Sequence, residues 1–324
     1  MTRAYIKSVD LVDQIAAGDR WAAARMMSRA EAGVPEARAA LGEIYRRAGK
    51  AQIIGITGVP GSGKSTMVAE LVKYLRARDK RVAIVAIDPS SPYSGGSILG
   101  DRIRMADLAL DRDVFVRSMA TRGAVGGMAH AALDVVDILD VAGFDHILIE
   151  TVGVGQDEVE IASASHTTVV VSAPGLGDEV QAIKAGILEI ANLHVVSKCD
   201  RSDANRTMTD LKMMLKDGLG NLKPGAWVAP VIGVSSYDKT GFDDLVDGLE
   251  QHYAMTRGKQ GQARRDRIAE YRLRKAAETL ILEDFRAAQR DAIQTSTHAL
   301  VARENDPYHA AWQLVSDYKK GRSA

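Results

Sequence analysis

Six runs of apolar residues alternate with helical patterns between residues 50 and 256. The runs read QIIGIT, RVAIVAID, DHILIET, TTVVVSAP, HVVSK and WVAPVIGVSS. They are continuous rather than alternating, which is typical of strands that are covered on both faces. Amphipathic stretches such as STMVAELVKYLRAR fall between them. The pattern predicts an α/β fold with a mostly parallel, doubly wound sheet, and ligands are expected at the carboxyl ends of its strands.

Helical patterns without strands flank this segment. Residues 1–49 predict a helical extension, in which one helix starts at an Asp19 cap. Residues 257–324 open with the polar sequence GKQGQARR, which we interpret as a linker, and continue with apolar positions at helical spacing. A last helix is expected to begin at Asp306-Pro307. Either these C-terminal helices pack back on the core, or they form a dimerisation arm, since a long apolar stripe beyond a complete sheet needs a partner.

A phosphate-binding loop follows the first strand-like run. GITGVPGSGKST contains the pattern G-x-x-x-x-G-K-[ST]. The main-chain N–H groups of such a loop point at the phosphates, and the dipole of the following helix adds positive potential. Lys64 is expected to reach the β- and γ-phosphates, and the Ser65 hydroxyl to bind Mg²⁺. The predicted nucleotide-binding residues of this P-loop are Gly58, Pro60, Gly61, Ser62, Gly63, Lys64, Ser65 and Thr66.

Three acidic residues are candidates to support the metal ion together with Ser65. Mg²⁺ keeps an octahedral shell of oxygens and usually takes one or two carboxylates, directly or through water. Asp88 ends the run RVAIVAID, Asp101 lies in the sequence SGGSILGDRIRM, and Glu150 ends DHILIE, where a Walker-B carboxylate belongs. We favour Glu150 and Asp101 over Asp88.

The sequence VVSKCD predicts a site for guanine. The Asp200 carboxylate can accept from the N1–H and N2–H₂ groups of guanine, and adenine lacks both donors. The stem of Lys198 would lie over the base. Ser235 and Ser236 follow the last apolar run, and a main-chain N–H near Ser236 is placed to meet the guanine O6. An unmatched polar site rejects the wrong ligand strongly, so GTP and GDP are favoured over ATP.

Charge and composition restrict the classes of partner that the chain is expected to bind. The 42 basic and 42 acidic side chains cancel, so the balance supports neither nucleic acid nor an anionic membrane as a partner. The start of the chain shows no signal peptide and no apolar run is long enough to span a bilayer, so a cytoplasmic location is expected. Cys199 is the single cysteine, and the seven histidines show no ligand spacing, which argues against a metal-insertion GTPase.

Taken together, these motifs resemble the MeaB/ArgK family of P-loop GTPases, which includes the human methylmalonic aciduria type A protein. The likeness runs from about residue 9 to residue 250. The stretches that carry it are GITGVPGSGKST, AIDPSSPYSGGSILGDRIRM, RGAVGGM, ETVGVGQDEVEI, APGLGDEVQAIKAGILEIAN and SKCD. The resemblance implies a homodimeric GTPase that acts as a chaperone of an adenosylcobalamin-dependent acyl-CoA mutase and gates cobalamin delivery from an adenosyltransferase.

The same resemblance implies roles for residues along the chain. Asp88, Asp101 and Arg104 fall in a first switch region, and Glu150 with Gly153 in a second. A third mobile segment would sense the partner, which makes Gln181 and Lys184 candidates for stimulated hydrolysis. We therefore expect slow hydrolysis of GTP by the chain alone and faster hydrolysis in the mutase complex. The resemblance does not identify which mutase is the client.

One position departs from the family. The guanine motif of the family is N-K-x-D, and Ser197 replaces the asparagine here. Serine is shorter than asparagine, so we expect it to brace the phosphate loop only through water. Two alternatives to the chaperone remain beside the metal-insertion GTPase, namely a protein kinase and a structural dimer with vestigial nucleotide binding.

Overall fold

The computed structural model describes residues 5–88, 107–120, 130–151, 157–175, 190–218 and 226–322. The chain divides into two compact units, Met1–Ala269 and Glu270–Ala324. None of the described helices combines the length and the apolar character that a membrane span requires.

The first unit is built on a parallel sheet, as the apolar runs predicted. The described strands are β1 (Gln52–Gly58), β2 (Val82–Asp88), β3 (Val114–Ala120), β4 (His146–Thr151), β5 (Thr167–Ser172), β6 (Leu193–Val196) and β7 (Val231–Gly233). They are ordered β3-β2-β4-β1-β5-β6-β7, and all adjacent pairs are parallel. Every residue of β1, β4, β5 and β6 is buried. Because the strands are parallel, β1, β2, β4 and β6 all end at the same edge.

The six apolar runs do not include strand β3. Phe115 to Ser118 are only half-buried, because β3 is an edge strand. Arg117 within it pairs with Glu31 at 2.7 Å, so a charged side chain is satisfied inside the strand. In this half-buried edge strand, Arg117 and Ser118 interrupt the apolar residues, so β3 lacks the longer continuous apolar run of the central strands.

Helices cover the sheet and extend beyond it. The described helices are α1 (Ser8–Ala16), α2 (Arg20–Glu31), α3 (Ala37–Arg47), α4 (Lys64–Arg76), α5 (His130–Val141), α6 (Asp157–Ala164), α7 (Ala204–Gly218), α8 (Phe242–Arg257), α9 (Gln262–Ala288), α10 (Arg290–Val301) and α11 (Pro307–Arg322). Helices α1 to α3 contact α5. The predicted cap of α2 is confirmed, since Asp19 accepts hydrogen bonds from the main-chain N–H groups of Trp21 and Ala22.

The core that supports the site lies between β1 and helices α4 and α8. Its fully buried side chains include Ile54, Met67, Leu71, Leu193 and Phe242. Tyr74 of α4 stacks on Phe242 with ring centroids 5.1 Å apart. This packing fixes α4, and therefore the phosphate loop in front of it, against the end of β1.

The C-terminal helices differ from the prediction in two respects. The sequence GKQGQARR is not an irregular linker, because residues Lys259–Gly261 form a 3₁₀ turn and α9 begins at Gln262. Helix α10 was also not predicted. The last helix begins at Pro307 as predicted, and Asp306 caps it by accepting from the N–H groups of Tyr308 and His309.

Candidate functional site

The phosphate loop connects the end of β1 at Gly58 to the start of α4 at Lys64. A side chain at Gly58 would place its Cβ 2.1 Å from the Val171 carbonyl oxygen, so the approach of β1 to β5 requires glycine there. Gly63, immediately before the helix, has φ of +82°, a left-handed conformation that favours glycine. The loop therefore curls as an anion-binding loop must, with the N-terminus of α4 behind it.

Lys64 is buried and turned onto the loop. Its Nζ donates to the Gly58 carbonyl oxygen at 2.7 Å and to that of Val59 at 3.0 Å. The side chain is only 6% exposed. The ammonium group is thus held at the centre of the loop, where it can pair with phosphate oxygens. Pro60 and Thr66, also predicted as nucleotide-binding residues, lie exposed on the same loop and first helical turn.

Ser65 and Glu150 meet across the end of the sheet. The Ser65 hydroxyl donates to Glu150 Oε1 at 2.6 Å, and the Glu150 side chain is 4% exposed. Glu150 pairs in register with Ile56 of β1 and Ala86 of β2, which sets it beside the strand that carries the loop. A hydroxyl and a carboxylate at this distance form the oxygen donor set that Mg²⁺ prefers, so these residues fit the predicted ion.

Ser62 gives a second indication of an anion site. It lies in the loop with 0% exposure, and no described residue provides a hydrogen-bond partner for its Oγ. Buried hydroxyls are nearly always bonded, so such a group marks a place where a ligand or water completes the structure.

The residues after β6 hold the phosphate loop directly. Ser197 Oγ donates to the Ser62 carbonyl oxygen at 2.5 Å, and Lys198 Nζ donates to that of Gly61 at 2.8 Å. Lys198 itself has φ of +55°. The expectation that Ser197 braces the loop only through water is therefore wrong. The loop is close enough to β6 for a serine hydroxyl to span the gap.

Asp200 is positioned by the loop that follows β7. Ser235 Oγ donates to Asp200 Oδ1 at 2.8 Å, and the Asp238 main-chain N–H donates to Ser235 Oγ at 3.0 Å. Ser235 is 1% exposed, whereas Asp200 is exposed. Ser236 is the half-buried next residue, so the predicted base-site residues Lys198, Asp200, Ser235 and Ser236 lie together.

Two contributors were missed in the sequence. Ser172, at the end of β5, accepts from the Ser197 main-chain N–H at 2.9 Å and from its hydroxyl at 3.1 Å. Asp238 fixes Ser235, as described above. Only Asp238 carried a signal, because it stands in the same loop, SSYDKTG, as the predicted serines. Ser172 acts through its carbonyl oxygen, which no residue type reveals.

Cys199 is not poised for thiolate chemistry. Burial raises the pKa of its thiol, and its Sγ lies 3.1 Å from the Val196 carbonyl oxygen. Among the described residues there is no group of three or more histidine, cysteine, aspartate or glutamate side chains that could hold a metal ion. The described part of the chain thus offers no cluster of the kind that a metal-insertion GTPase would use.

Several predicted site residues fall outside this geometry. Asp101, Arg104, Gly153, Gln181 and Lys184 lie outside the described residues. The backbone of Asp88 ends β2 at the same edge as Glu150, but its side chain is outside the description. The roles of these six residues stay predictions.

Comparison with known proteins places the chain in a family. Residues 23–290 match the family described as methylmalonyl-CoA mutase-associated GTPase MeaB. A protein of Mycobacterium bovis named "Probable GTPase" is 39% identical over 77% of this chain and 77% of its own. The mitochondrial methylmalonic aciduria type A homolog of Mus musculus is 32% identical over 82% of this chain and 65% of its own.

A solved structure has the same fold over nearly the whole chain. The crystal structure titled as a LAO/AO transport system kinase is 25% identical, with a TM-score of 0.69, covering 98% of this chain and 100% of that one. The chain belongs to the MeaB family. It is a P-loop GTPase that binds guanine nucleotides.

Proposed function

We propose that this MeaB-family GTPase acts as a chaperone of an adenosylcobalamin-dependent acyl-CoA mutase, gating cofactor loading, protection and reactivation. The observation that carries the switch in this proposal is the direct connection of the base loop to the phosphate loop by Ser197 and Lys198. A nucleotide bound by both loops is contacted at its base and at its phosphates, so a change at the γ-phosphate can be coupled to the rest of the site. The family description names a mutase-associated GTPase, which supports the choice of partner.

The chain's own residues supply most of what hydrolysis needs. The loop N–H groups and Lys64 bind and orient the β- and γ-phosphates of GTP, which fixes the scissile bond and offsets charge that develops on it. Ser65 and Glu150 would hold Mg²⁺, with Asp101 and Asp88 in support. When bound, that ion neutralises charge on the bridging and γ-phosphate oxygens. Lys198 and Asp200 hold the guanine, so the phosphates of the same nucleotide are placed at one position along the phosphate loop.

The proposed switch lies in segments that bear on the γ-phosphate. Arg104 and Asp101 belong to the first segment, Gly153 to the second, and Gln181 and Lys184 to the third. A γ-phosphate orders such segments, and its loss releases them. In this scheme the isolated chain hydrolyses GTP slowly, and the mutase accelerates the reaction by ordering these segments around the attacking water.

Phosphate release from GTP, measured with the chain alone and with candidate mutases, tests the chaperone function. Methylmalonyl-CoA mutase is the default client, with isobutyryl-, ethylmalonyl- and 2-hydroxyisobutyryl-CoA mutases as the other candidates. The cognate mutase should raise turnover at least tenfold, whereas bovine serum albumin should not. Equal turnover with and without every mutase would refute the switch. An adenosyltransferase added to the same mixture tests whether delivery of the cobalamin depends on GTP.

A protein kinase is the second candidate, because the similar solved structure is described as a transport system kinase. The same assay separates the two functions. With γ-labelled GTP, a GTPase releases free labelled phosphate, and a kinase leaves the label on a protein. We expect free phosphate only.

We further propose that residues 257–324 form the arm of a homodimer. In the second unit the described side chains of Val301, Tyr308 and Trp312 are 80%, 87% and 70% exposed. Apolar side chains of this size on neighbouring helices are typical of a surface that another protein covers. Sedimentation velocity at several protein concentrations measures the state directly, and a monomer at micromolar concentration would contradict the proposal.

A further inference from the structure

The four residues Ser197-Lys198-Cys199-Asp200 differ sharply in exposure. Ser197 is 3% exposed, Cys199 is half-buried, and Lys198 and Asp200 are exposed. A base that enters from solvent meets the exposed side chains first. The base side of the site is therefore formed by Lys198 and Asp200, and Ser197 lies behind them.

The hydroxyl of Ser197 is already committed to the main chain. It lies 2.5 Å from the Ser62 carbonyl oxygen and 3.1 Å from that of Ser172. Both partners are acceptors, and a serine hydroxyl carries a single proton. Whichever carbonyl takes that proton, no donor is left for a ligand.

Neighbouring atoms place this hydroxyl beneath the phosphate loop. A Cβ built on Gly63 would lie 3.9 Å from Ser197 Oγ and 3.6 Å from Lys198 Cε. Ser197 and Lys198 hold the successive carbonyls of Ser62 and Gly61. Consecutive residues after β6 thus fix consecutive peptide units of the loop that receives the phosphates.

We propose that Ser197 is a positioning residue of the phosphate loop and that the described part of the chain leaves N7 of the bound guanine without a donor. Guanine presents acceptors at N7 and O6, and its N1–H and N2–H₂ groups are donors to the Asp200 carboxylate. Discrimination against adenine then rests on Asp200. Guanine nucleotides altered at position 7 are accepted by this chain as readily as the natural ones. The inference rests on the guanine nucleotide site described above.

The direct test compares GDP with 7-deaza-GDP, in which a C–H group replaces N7. Titration calorimetry of the unaltered chain should give affinities within about twofold of each other, because no hydrogen bond is lost. A donor on N7 would instead make 7-deaza-GDP weaker by about fivefold or more, the usual effect of one neutral hydrogen bond. That result overturns the inference.

Two variants separate the positioning role from base recognition. Ser197→Ala removes the brace of the loop, so it should weaken GDP and 7-deaza-GDP by the same factor. Ser197→Thr keeps the hydroxyl and should retain both affinities. If Ser197→Ala weakened GDP alone, the hydroxyl would be reading the base, and the inference would fail. Thermal unfolding without nucleotide checks that each variant folds. If a variant does not fold, the comparison of GDP with 7-deaza-GDP on the unaltered chain still tests the inference.

An ATP titration keeps this inference separate from the function on which it rests. If ATP binds as tightly as GDP, the guanine site itself is wrong. If GDP binds, ATP does not and 7-deaza-GDP binds poorly, the guanine site stands and only the role of Ser197 fails.

Discussion

The two compact units treat apolar residues in opposite ways. In the first, four strands are buried along their whole length. In the second, the described apolar side chains of Leu280, Ile281 and Leu282 are 49%, 59% and 41% exposed. The first unit thus buries the apolar residues of its strands, while the second leaves large apolar side chains exposed.

Internal contacts of the second unit agree with this contrast. Phe285 and Tyr318 meet edge to face at 5.3 Å, and Tyr318 donates to Asp284 at 2.5 Å. Arg322 pairs with the same carboxylate. These contacts join α9 and α11 within the unit, yet they leave the apolar positions above uncovered. The comparison agrees with the proposed division of function, in which the first unit binds the nucleotide and the second forms the dimer.

Lys64→Ala should have the largest effect on the first unit. It removes a cation that can make two charge-assisted hydrogen bonds to phosphate, so the affinity for GDP is expected to fall about a thousandfold. Lys73→Ala is the matched control, because Lys73 lies on the same helix and pairs with Glu70 at 2.9 Å. Titration calorimetry measures both, and sedimentation should show an unchanged assembly. If Lys64→Ala kept its affinity for GDP, the proposed role of Lys64 in binding the phosphates would be contradicted.

Acid should destabilise the first unit through its buried histidines. Burial lowers the pKa of His146 and His194 to about 4, and that of His252 to about 3. Between pH 6.5 and 4 the unfolded chain binds protons that the folded chain refuses. The free energy of unfolding therefore falls as the pH falls through this window, and His194 alone contributes about 3 kcal/mol to the loss.

Urea unfolding at pH 7.5 and pH 4.5 measures this loss. His194→Leu should reduce the difference between the two pH values, since the replacement cannot take up a proton. His298→Leu makes the same change at an exposed position of the second unit and should leave the difference unaltered. An identical pH dependence in all three proteins would show that His194 is not the group responsible.

Ile281→Asp probes the second unit. If a second copy buries this side chain, a carboxylate there should weaken the dimer by about thirtyfold, the equivalent of about 2 kcal/mol of lost apolar burial. Leu110→Asp is the control, because Leu110 is 86% exposed in the first unit. Sedimentation equilibrium gives the dissociation constants. A dimer equally stable in both variants would place the interface elsewhere, and GDP affinity should stay unchanged in both.

Ser235→Ala should have the smallest effect. The hydroxyl fixes Asp200 with one hydrogen bond, so its loss is expected to weaken GDP by about fivefold. Ser236→Ala retains the main-chain N–H that is proposed to meet O6 and should bind GDP normally. Calorimetric titration of both variants compares them. A loss at Ser236 and none at Ser235 would reverse their proposed roles.

Much of the first unit could be predicted because its chemistry resides in residue types. Continuous apolar runs marked the central strands, and glycines with Lys64 and Ser65 marked the phosphate loop. Strand β3 escaped detection, since Arg117 and Ser118 interrupt its apolar residues and leave no long continuous run. The role of Ser172 escaped for another reason, because it depends on a carbonyl oxygen that every residue has.

Ser197 shows why a local departure from a motif is hard to interpret in sequence alone. Its shorter side chain predicted a contact through water, but the distance to the loop is set by the packing of β6 beside β5. That packing brings the hydroxyl within 2.5 Å of the Ser62 carbonyl oxygen. The length of a side chain predicts its reach only when the backbone positions are known.

The affinity of the proposed client mutase for the chain in its two nucleotide states is the most direct measurement. Calorimetry with methylmalonyl-CoA mutase holding adenosylcobalamin should give dissociation constants that differ at least tenfold between the GDP form and a form with a non-hydrolysable GTP analogue. If a mutase binds both forms with the same dissociation constant, the nucleotide state does not affect the partner and the proposed switch is contradicted.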